Sequence, residues 1–128
     1  MPIQAFMASL PEFTRQAVVG IPSTGLTALG NSQGTALALP TDFNVFTTVS
    51  ASTGAQLPWG VDGTTAGPVQ LADEITVVNH GAQALSVYPQ SGGKVANGSA
   101  NAAFSVAATK TAYFTYIGSG NWAASLSA

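Results

Sequence analysis

The chain has 128 residues and a mass of 12.8 kDa, the length of one ordinary domain. It is 46% hydrophobic, too apolar for a disordered protein, yet only 6% of its residues are charged, where about 25% is typical. Three basic and five acidic residues give a net charge of −2, which excludes nucleic-acid binding through clustered phosphate contacts and a polybasic membrane patch. The lack of cysteine excludes disulfides, thiolate metal sites and cysteine nucleophiles, and fits folding in a reducing cytoplasm.

Residues 1–16 differ in pattern from the rest of the chain. Their large apolar side chains recur at helical spacing: Ile3, Phe6, Met7, Leu10 and Phe13. Pro2 and Pro11 leave room for only a short helix between them. We interpret residues 1–16 as an apolar N-terminal arm and residues 17–128 as the folded domain. The alternative is an edge strand or a helix that folds onto its own domain. The start of the chain lacks the basic and apolar regions of a signal peptide, and no apolar run approaches the roughly 18 residues of a membrane span.

Seven prolines and fourteen glycines are spaced so closely along the sequence that no long helix fits between them. Alternation of apolar and polar residues predicts strands at 43–50, 74–79, 84–88, 104–107, 111–117 and 122–127. Weaker candidates lie at 17–21, 25–29 and 35–39. Residues 79–83 between two of the strands read as a short hairpin loop, and residues 118–121 read as a turn into the last strand.

The alternation also assigns side chains to faces. In the first strong candidate, Phe43, Val45, Thr47 and Val49 share one face and Phe46 lies on the other. Three further pairs or groups are expected to point inward: Ile75 with Val77, Leu85 with Val87, and Ala112 with Phe114 and Tyr116. Tyr113 then shares the opposite face with Thr111, Thr115 and Ile117.

Many short strands with turn signals every 8 to 12 residues are typical of a sandwich or barrel. The sequence therefore predicts an all-β, single-domain antiparallel β-sandwich, jelly-roll-like, with an N-terminal arm.

The sequence offers little catalytic chemistry, because it has one histidine, His80, and five carboxylates. One histidine does not make a zinc cluster, and no Gly-x-Ser-x-Gly elbow is present. Asp73 and Glu74 are adjacent and would point to opposite faces of a strand, so they do not form an acid–base pair. We expect a protein that is not an enzyme and that needs no cofactor or metal.

The aromatic residues offer a non-catalytic use. Exposed rings in a β domain can stack against sugars, and Trp59 and Tyr113 are the candidates for such a ligand face. The alternative is that these rings belong to the core.

One run in the second half of the chain has an unusual spacing. It reads Asn79-x-Gly81-x-x-x-Leu85-x-Val87-Tyr88-Pro89-x-x-Gly92-Gly93, followed by Asn97-Gly98, Ala103-Phe104, Phe114-x-Tyr116-x-Gly118 and Trp122. This pattern, over roughly residues 70–126, resembles small structural proteins of tailed bacteriophages, in particular head decoration or cement proteins of β-sandwich type.

The resemblance implies a non-enzymatic virion protein on the outer capsid surface that is made in the host cytoplasm. Such a protein binds the major capsid protein and stabilises its lattice, usually as a homo-oligomer (a dimer or trimer), and takes no cofactor. In that setting, the apolar side chains of the arm (Ile3, Phe6, Met7, Leu10 and Phe13) are the expected contacts with the capsid or with a sister subunit. A carbohydrate- or receptor-binding module of a head or tail fibre is the alternative.

Overall fold

The computed structural model describes residues 22–58 and 69–127, and within these ranges the chain forms strands and turns with no helix. These ranges accordingly contain no helix that would cross a membrane. The predicted arm, residues 1–16, lies outside them, as does the weak strand candidate at 17–21. The all-β class predicted from the alternation is confirmed for the described part of the chain.

The strands are short, as the spacing of glycines and prolines requires. In chain order they are β1 (Ser23–Thr27), β2 (Leu37–Ala38), β3 (Phe43–Thr48), β4 (Gly54–Gln56), β5 (Glu74–Asn79), β6 (Leu85–Tyr88), β7 (Lys94–Val95), β8 (Phe104–Val106), β9 (Thr111–Gly118) and β10 (Asn121–Leu126). All six strong candidates correspond to strands, whereas β4 and β7 have no counterpart among the predicted segments.

The strands form two sheets. One has six strands in the order β1-β3-β5-β9-β10-β7, and the other has four in the order β2-β4-β6-β8. From β1 to β8 the chain therefore changes sheet after every strand, with odd-numbered strands in the six-stranded sheet and even-numbered strands in the four-stranded sheet. Only β9 and β10 follow each other within one sheet.

This winding makes much of the pairing parallel. The pairs β1·β3, β3·β5, β2·β4, β4·β6 and β7·β10 are parallel, and β5·β9, β9·β10 and β6·β8 are antiparallel. The prediction of an antiparallel arrangement is therefore wrong for most of the pairs. The physical reason is that the chain from β1 to β6 crosses to the other sheet and back and each time arrives beside its previous strand running in the same direction. After β7 this winding ends, and β8 pairs antiparallel with β6.

The hairpin predicted at 79–83 is also wrong, because β5 and β6 lie in different sheets. The segment is a crossover, which the Asn79 side chain holds by donating from Nδ2 to the Gln83 carbonyl at 2.8 Å. The turn predicted at 118–121 is confirmed, since β9 and β10 pair antiparallel on either side of it. Local turn signals are thus similar for a hairpin and for a crossover, and only the pairing distinguishes them.

The buried side chains of both sheets form one core cluster. Phe104 of β8 packs edge-on against Phe114 of β9, with ring centroids 5.6 Å apart, and so joins the two sheets. Tyr116 and Trp122 make a second edge contact at 5.1 Å. The residues expected to point inward on β5, β6 and β9 are all buried: Ile75, Val77, Leu85, Val87, Ala112, Phe114 and Tyr116.

Strand β3 buries the less apolar of its two faces. Phe46 and Asn44 are fully buried, whereas Phe43 is 41% exposed. Burial of Asn44 is compensated because its Nδ2 donates to the Thr41 carbonyl at 2.9 Å and to the Thr76 carbonyl at 3.3 Å. These hydrogen bonds allow an amide to sit beside Phe46 in the core.

Gly81 is required for close packing at the start of the crossover. A Cβ at this position would lie 2.7 Å from the Cβ and Cγ2 atoms of Val49 and 2.8 Å from its backbone nitrogen. Two backbone segments therefore approach each other here more closely than any side chain allows.

Candidate interaction surface

Of the residues predicted to bind a partner, the structure describes only Tyr113. Trp59 and the apolar residues of the arm lie outside the described ranges: Ile3, Phe6, Met7, Leu10 and Phe13. Tyr113 lies inside, on β9, and is 40% exposed. The structure therefore does not bring Tyr113 and Trp59 together, and it tests only the environment of Tyr113.

The alternation predicted for β9 is confirmed. Phe114 and Tyr116 are fully buried, whereas Tyr113 and Ile117 are exposed at 40% and 57%. Tyr113 thus belongs to the face of the six-stranded sheet that points away from the core. We call this face, carried by β3, β5, β9 and β10, the outer face.

The strand register places a second aromatic residue on the outer face, in line with Tyr113. Phe43 pairs with Thr76, Thr76 pairs with Tyr113, and Tyr113 pairs with Ser125. Adjacent strands are about 4.8 Å apart, so the Cα atoms of Phe43 and Tyr113 are separated by roughly 10 Å, with Thr76 between them. Thr76 is only 8% exposed although its side chain points out of the sheet.

The side chains in the rows on either side of this one are small or polar. One row consists of Val45, Val78 and Thr111, and the other of Glu74, Thr115 and Ala123. The outer face therefore presents two large rings among hydroxyl, methyl and isopropyl groups, with Glu74 the one charged side chain in these three rows. This face therefore exposes apolar area and hydroxyl groups and little charge.

A depression of about 410 Å³ lies near the start of β5 and is bordered by three carboxylates, Asp42, Asp73 and Glu74. The Asp73 carboxylate accepts a hydrogen bond from the Gln70 backbone N–H at 2.9 Å, which holds the turn that precedes β5. Within residues 22–58 and 69–127, no three His, Asp or Glu side chains form a group that would hold a metal ion. The one carboxylate contact seen here is thus structural.

His80 is exposed and follows the last residue of β5. Its backbone N–H donates to the Phe46 carbonyl at 2.8 Å, and so continues the pairing of β5 with β3 by one residue. The observed role of this position is therefore that of an exposed turn residue next to a strand end.

The residues of the unusual spacing in the second half of the chain have roles in the fold. Asn79 and Gly81 form the crossover, the side chains of Leu85, Val87 and Trp122 lie in the core, and Pro89 is buried. The spacing therefore reports on packing and turns. It does not map onto the outer face, which Phe43, Thr76 and Tyr113 form.

Comparison of the chain with protein-family models, with curated proteins and with solved structures finds no match.

Phe43 is the surface residue that sequence reasoning missed as a partner of Tyr113. The alternation placed it correctly on the face opposite Phe46, but it gave no reason to prefer that face as the exposed one. The two aromatic residues are 70 positions apart in the sequence. Their alignment depends on the register of β5 with both neighbours, for which no local signal exists.

Proposed function

We propose that this protein is a non-enzymatic capsid decoration, or cement, protein of a tailed bacteriophage. It binds the outer surface of the head, contacts the major capsid protein and stabilises the capsid lattice. It acts as a homo-oligomer, a dimer or a trimer, and is located in the virion. We further propose that its two sheets pack as a β-sandwich in which the first six strands coil between the sheets, in place of the jelly-roll path.

The observation that supports an adhesive role most directly is the composition of the outer face. Phe43, Tyr113 and Ile117 are exposed at 41%, 40% and 57% on one side of the six-stranded sheet. Only 6% of the whole chain is charged, so few desolvated charges would oppose close contact with a neighbour. The spacing from Asn79 to Trp122 adds the resemblance to cement proteins.

The proposed mechanism is mass action. A protein that binds only the assembled lattice stabilises it by RT ln(1 + [L]/Kd), about 2.7 kcal/mol per site at a hundredfold excess over Kd. Repetition of this contribution over the lattice resists internal pressure. If several sites of one oligomer engage together, effective concentration raises avidity by about 10²–10⁴.

Deletion of residues 2–13 tests this proposal. Buried aromatic anchors at an interface typically contribute about 2 kcal/mol or more, and the deleted segment carries Phe6 and Phe13. We expect the shortened protein to keep its β-sheet circular dichroism and to be lost from capsids in co-sedimentation. A shortened protein that unfolds would place the segment in the core and overturn its assignment as a contact segment. A shortened protein that binds capsids as the full chain does would overturn the assignment of the segment as a contact with the capsid.

One observation favours a second function, a carbohydrate- or receptor-binding module of a head or tail fibre. Phe43 and Tyr113 flank Thr76 in one row, which Ser125 continues, and Thr111 and Thr115 place hydroxyl groups in the rows on either side. Aromatic faces with neighbouring hydroxyls suit stacking against sugar rings. This function predicts saturable glycan binding that Tyr113→Ala or Trp59→Ala abolishes, and heads that are equally stable without the protein.

A further inference from the structure

The edge of β10 that faces away from β9 is paired with another strand for only part of its length. β7 pairs with β10 through Lys94 and Val95 alone, opposite Asn121 and Trp122. Ala96 and Asn97 then take left-handed conformations, with φ of 53° and 61°, and lead the chain off the sheet edge. Among the described residues, Ala123–Leu126 of β10 pair only with β9.

The direction of the free backbone groups follows from the register. The Ser127 N–H donates to the Thr111 carbonyl at 2.8 Å, so residues 127, 125 and 123 face β9 with their hydrogen-bonding groups. The Trp122 carbonyl accepts from the Ala96 N–H at 2.9 Å on the opposite side. By the same alternation, the N–H and C=O groups of Ala124 and Leu126 point away from β9, and no described residue bonds to them.

A depression adjoins this edge where β7 ends. It has a volume of about 340 Å³ and is lined by Ala96, Asn97, Ile117, Trp122, Ala123 and Ala124. Ile117 and Ala123 belong to the outer face, so the depression lies where the outer face meets this edge of β10. A row of free backbone N–H and C=O groups and a recess therefore meet at one place. In strand addition, main-chain hydrogen bonds give affinity and pockets for alternate side chains give specificity.

We infer that the free edge of β10 takes the N-terminal segment of a second copy of this chain as an added strand, within residues 3–10. This inference rests on the proposed role of the N-terminal segment as a contact segment, and it does not depend on the capsid as partner. The donated strand would lie in line with β7, bond to Ala124 and Leu126, and place one large apolar side chain in the recess beside Ile117 and Ala123.

The sequence of the segment suits this role. Pro2 and Pro11 bound eight residues without proline, which span roughly 26 Å as a strand, and the free edge offers only four residues. Residues 3–10 carry no charge. Phe6 and Leu10 are four residues apart, so in a strand their side chains point to the same side. Uncharged, apolar strands pair readily with an exposed edge.

The sheet order is compatible with a donor from another copy. Residues 11–21 span at most roughly 37 Å when extended, so the chain's own segment is the competing occupant, and it would give a monomer in the experiment below. The described chain begins next to β1, which is one edge of the six-stranded sheet, and β10 lies four strand positions away, roughly 19 Å across the sheet. In a head-to-tail arrangement, the β1 edge of one copy meets the β10 edge of the next. Such heterologous contacts close into rings when the rotation permits, and this would give a small homo-oligomer.

Proline at position 124 is the discriminating substitution. Proline lacks the N–H that the added strand needs, yet the Ala124 N–H points away from β9, so Ala124→Pro removes no hydrogen bond within the described chain. Leu126→Pro acts on the second free N–H in the same way and is an independent variant. Ser125→Thr, whose N–H faces β9, is the matched control.

The experiment measures mass in solution by analytical ultracentrifugation, without capsids. The full chain and Ser125→Thr should sediment as two or three times the 12.8 kDa protomer, and Ala124→Pro and the chain without residues 2–13 as protomers. A mixture of these two variants should form a one-to-one complex, because one supplies the segment and the other supplies the edge. A denaturation midpoint of Ala124→Pro near that of the full chain shows that it is folded.

Three results would overturn the inference: a full chain that is monomeric, an oligomer that survives both proline substitutions, or variants that fail to combine. A monomeric full chain would also remove the homo-oligomer from the proposed function. Capsid binding is tested separately, by co-sedimentation of the full chain with capsids, and an oligomer that does not bind capsids contradicts the cement role alone. The two failures are therefore distinguishable.

Discussion

The side-chain amide of Asn79 donates a 2.9 Å hydrogen bond to the backbone carbonyl of Val106, and so joins β5 in one sheet to β8 in the other. The same amide group donates to the Gln83 carbonyl, and its Oδ1 accepts from the Gly81 N–H at 2.9 Å. Asn79 is fully buried. One side chain therefore satisfies three backbone groups at the crossover between the sheets.

Replacement of Asn79 by alanine should destabilise the protein strongly. The substitution leaves buried backbone groups without partners, and each such group costs about 1–3 kcal/mol. We expect the free energy of unfolding to fall by about 3 kcal/mol in urea denaturation. Gln83→Ala is the control, because Gln83 contributes its backbone carbonyl to this network and its side chain is exposed. Equal stability of Asn79→Ala and Gln83→Ala would show that the crossover does not depend on the amide.

Gly81→Ala tests the close approach of the crossover to Val49. The added methyl would meet both the side chain and the backbone nitrogen of Val49, so a rotamer change alone does not relieve the clash. Overpacking of this kind costs about 1–3 kcal/mol. Gly34→Ala is the matched control, since nothing lies within 4 Å of its Cβ position, and it should be neutral or slightly stabilising. Thermal unfolding of the two variants measures the difference, and similar midpoints would contradict the packing described here.

Neighbouring residues of β9 should differ sharply in their effect on stability. Phe114 is fully buried against Phe104, so Phe114→Ala should cost about 3–5 kcal/mol. Tyr113 is 40% exposed on the outer face, and Tyr113→Ala should cost about 1 kcal/mol. Denaturation of both variants under one condition provides the comparison. A larger loss for Tyr113→Ala would mean that the two faces of the sheet are assigned the wrong way round.

Binding to capsids should depend little on salt. With only three basic and five acidic residues, the chain has few charges whose attraction salt would screen. Between about 0.1 M and about 1 M salt the Debye length falls from about 10 Å to about 3 Å. We expect the dissociation constant to rise by no more than about twofold over this range. A steep loss of binding with salt would point to ion pairs and contradict an interface built on apolar and hydroxyl groups.

The sequence predicted the strands with clear alternation and the direction of their side chains. The inward residues Ile75, Val77, Leu85 and Val87 and the outward residue Tyr113 are all confirmed, because alternation is a local property of one strand. The sheet to which each strand belongs is not local. Residues 79–83 carry the same turn signals in a crossover as in a hairpin, and the parallel pairing follows from that difference.

The alternation of apolar and polar residues could not predict very short strands. It also could not show which of two apolar faces of a strand is buried. β7 has two residues and β4 has three, too few to show a period. On β3, burial of Phe46 in preference to Phe43 depends on partners for Asn44, and one of these, the Thr76 carbonyl, is 32 residues away in the sequence. For the same reason the row of Phe43, Thr76 and Tyr113 emerges only from the register. The contact residues proposed in residues 1–16, and Trp59, remain predictions from the sequence.

The copy number of the protein in purified, DNA-filled heads tests the central proposal most directly. Quantitative mass spectrometry against the major capsid protein should find on the order of hundreds of copies per head, because a lattice component repeats with the symmetric capsid. Heads that contain about a dozen copies or fewer, as a fibre or vertex component would, or heads that lack the protein, would contradict the assignment as a cement protein.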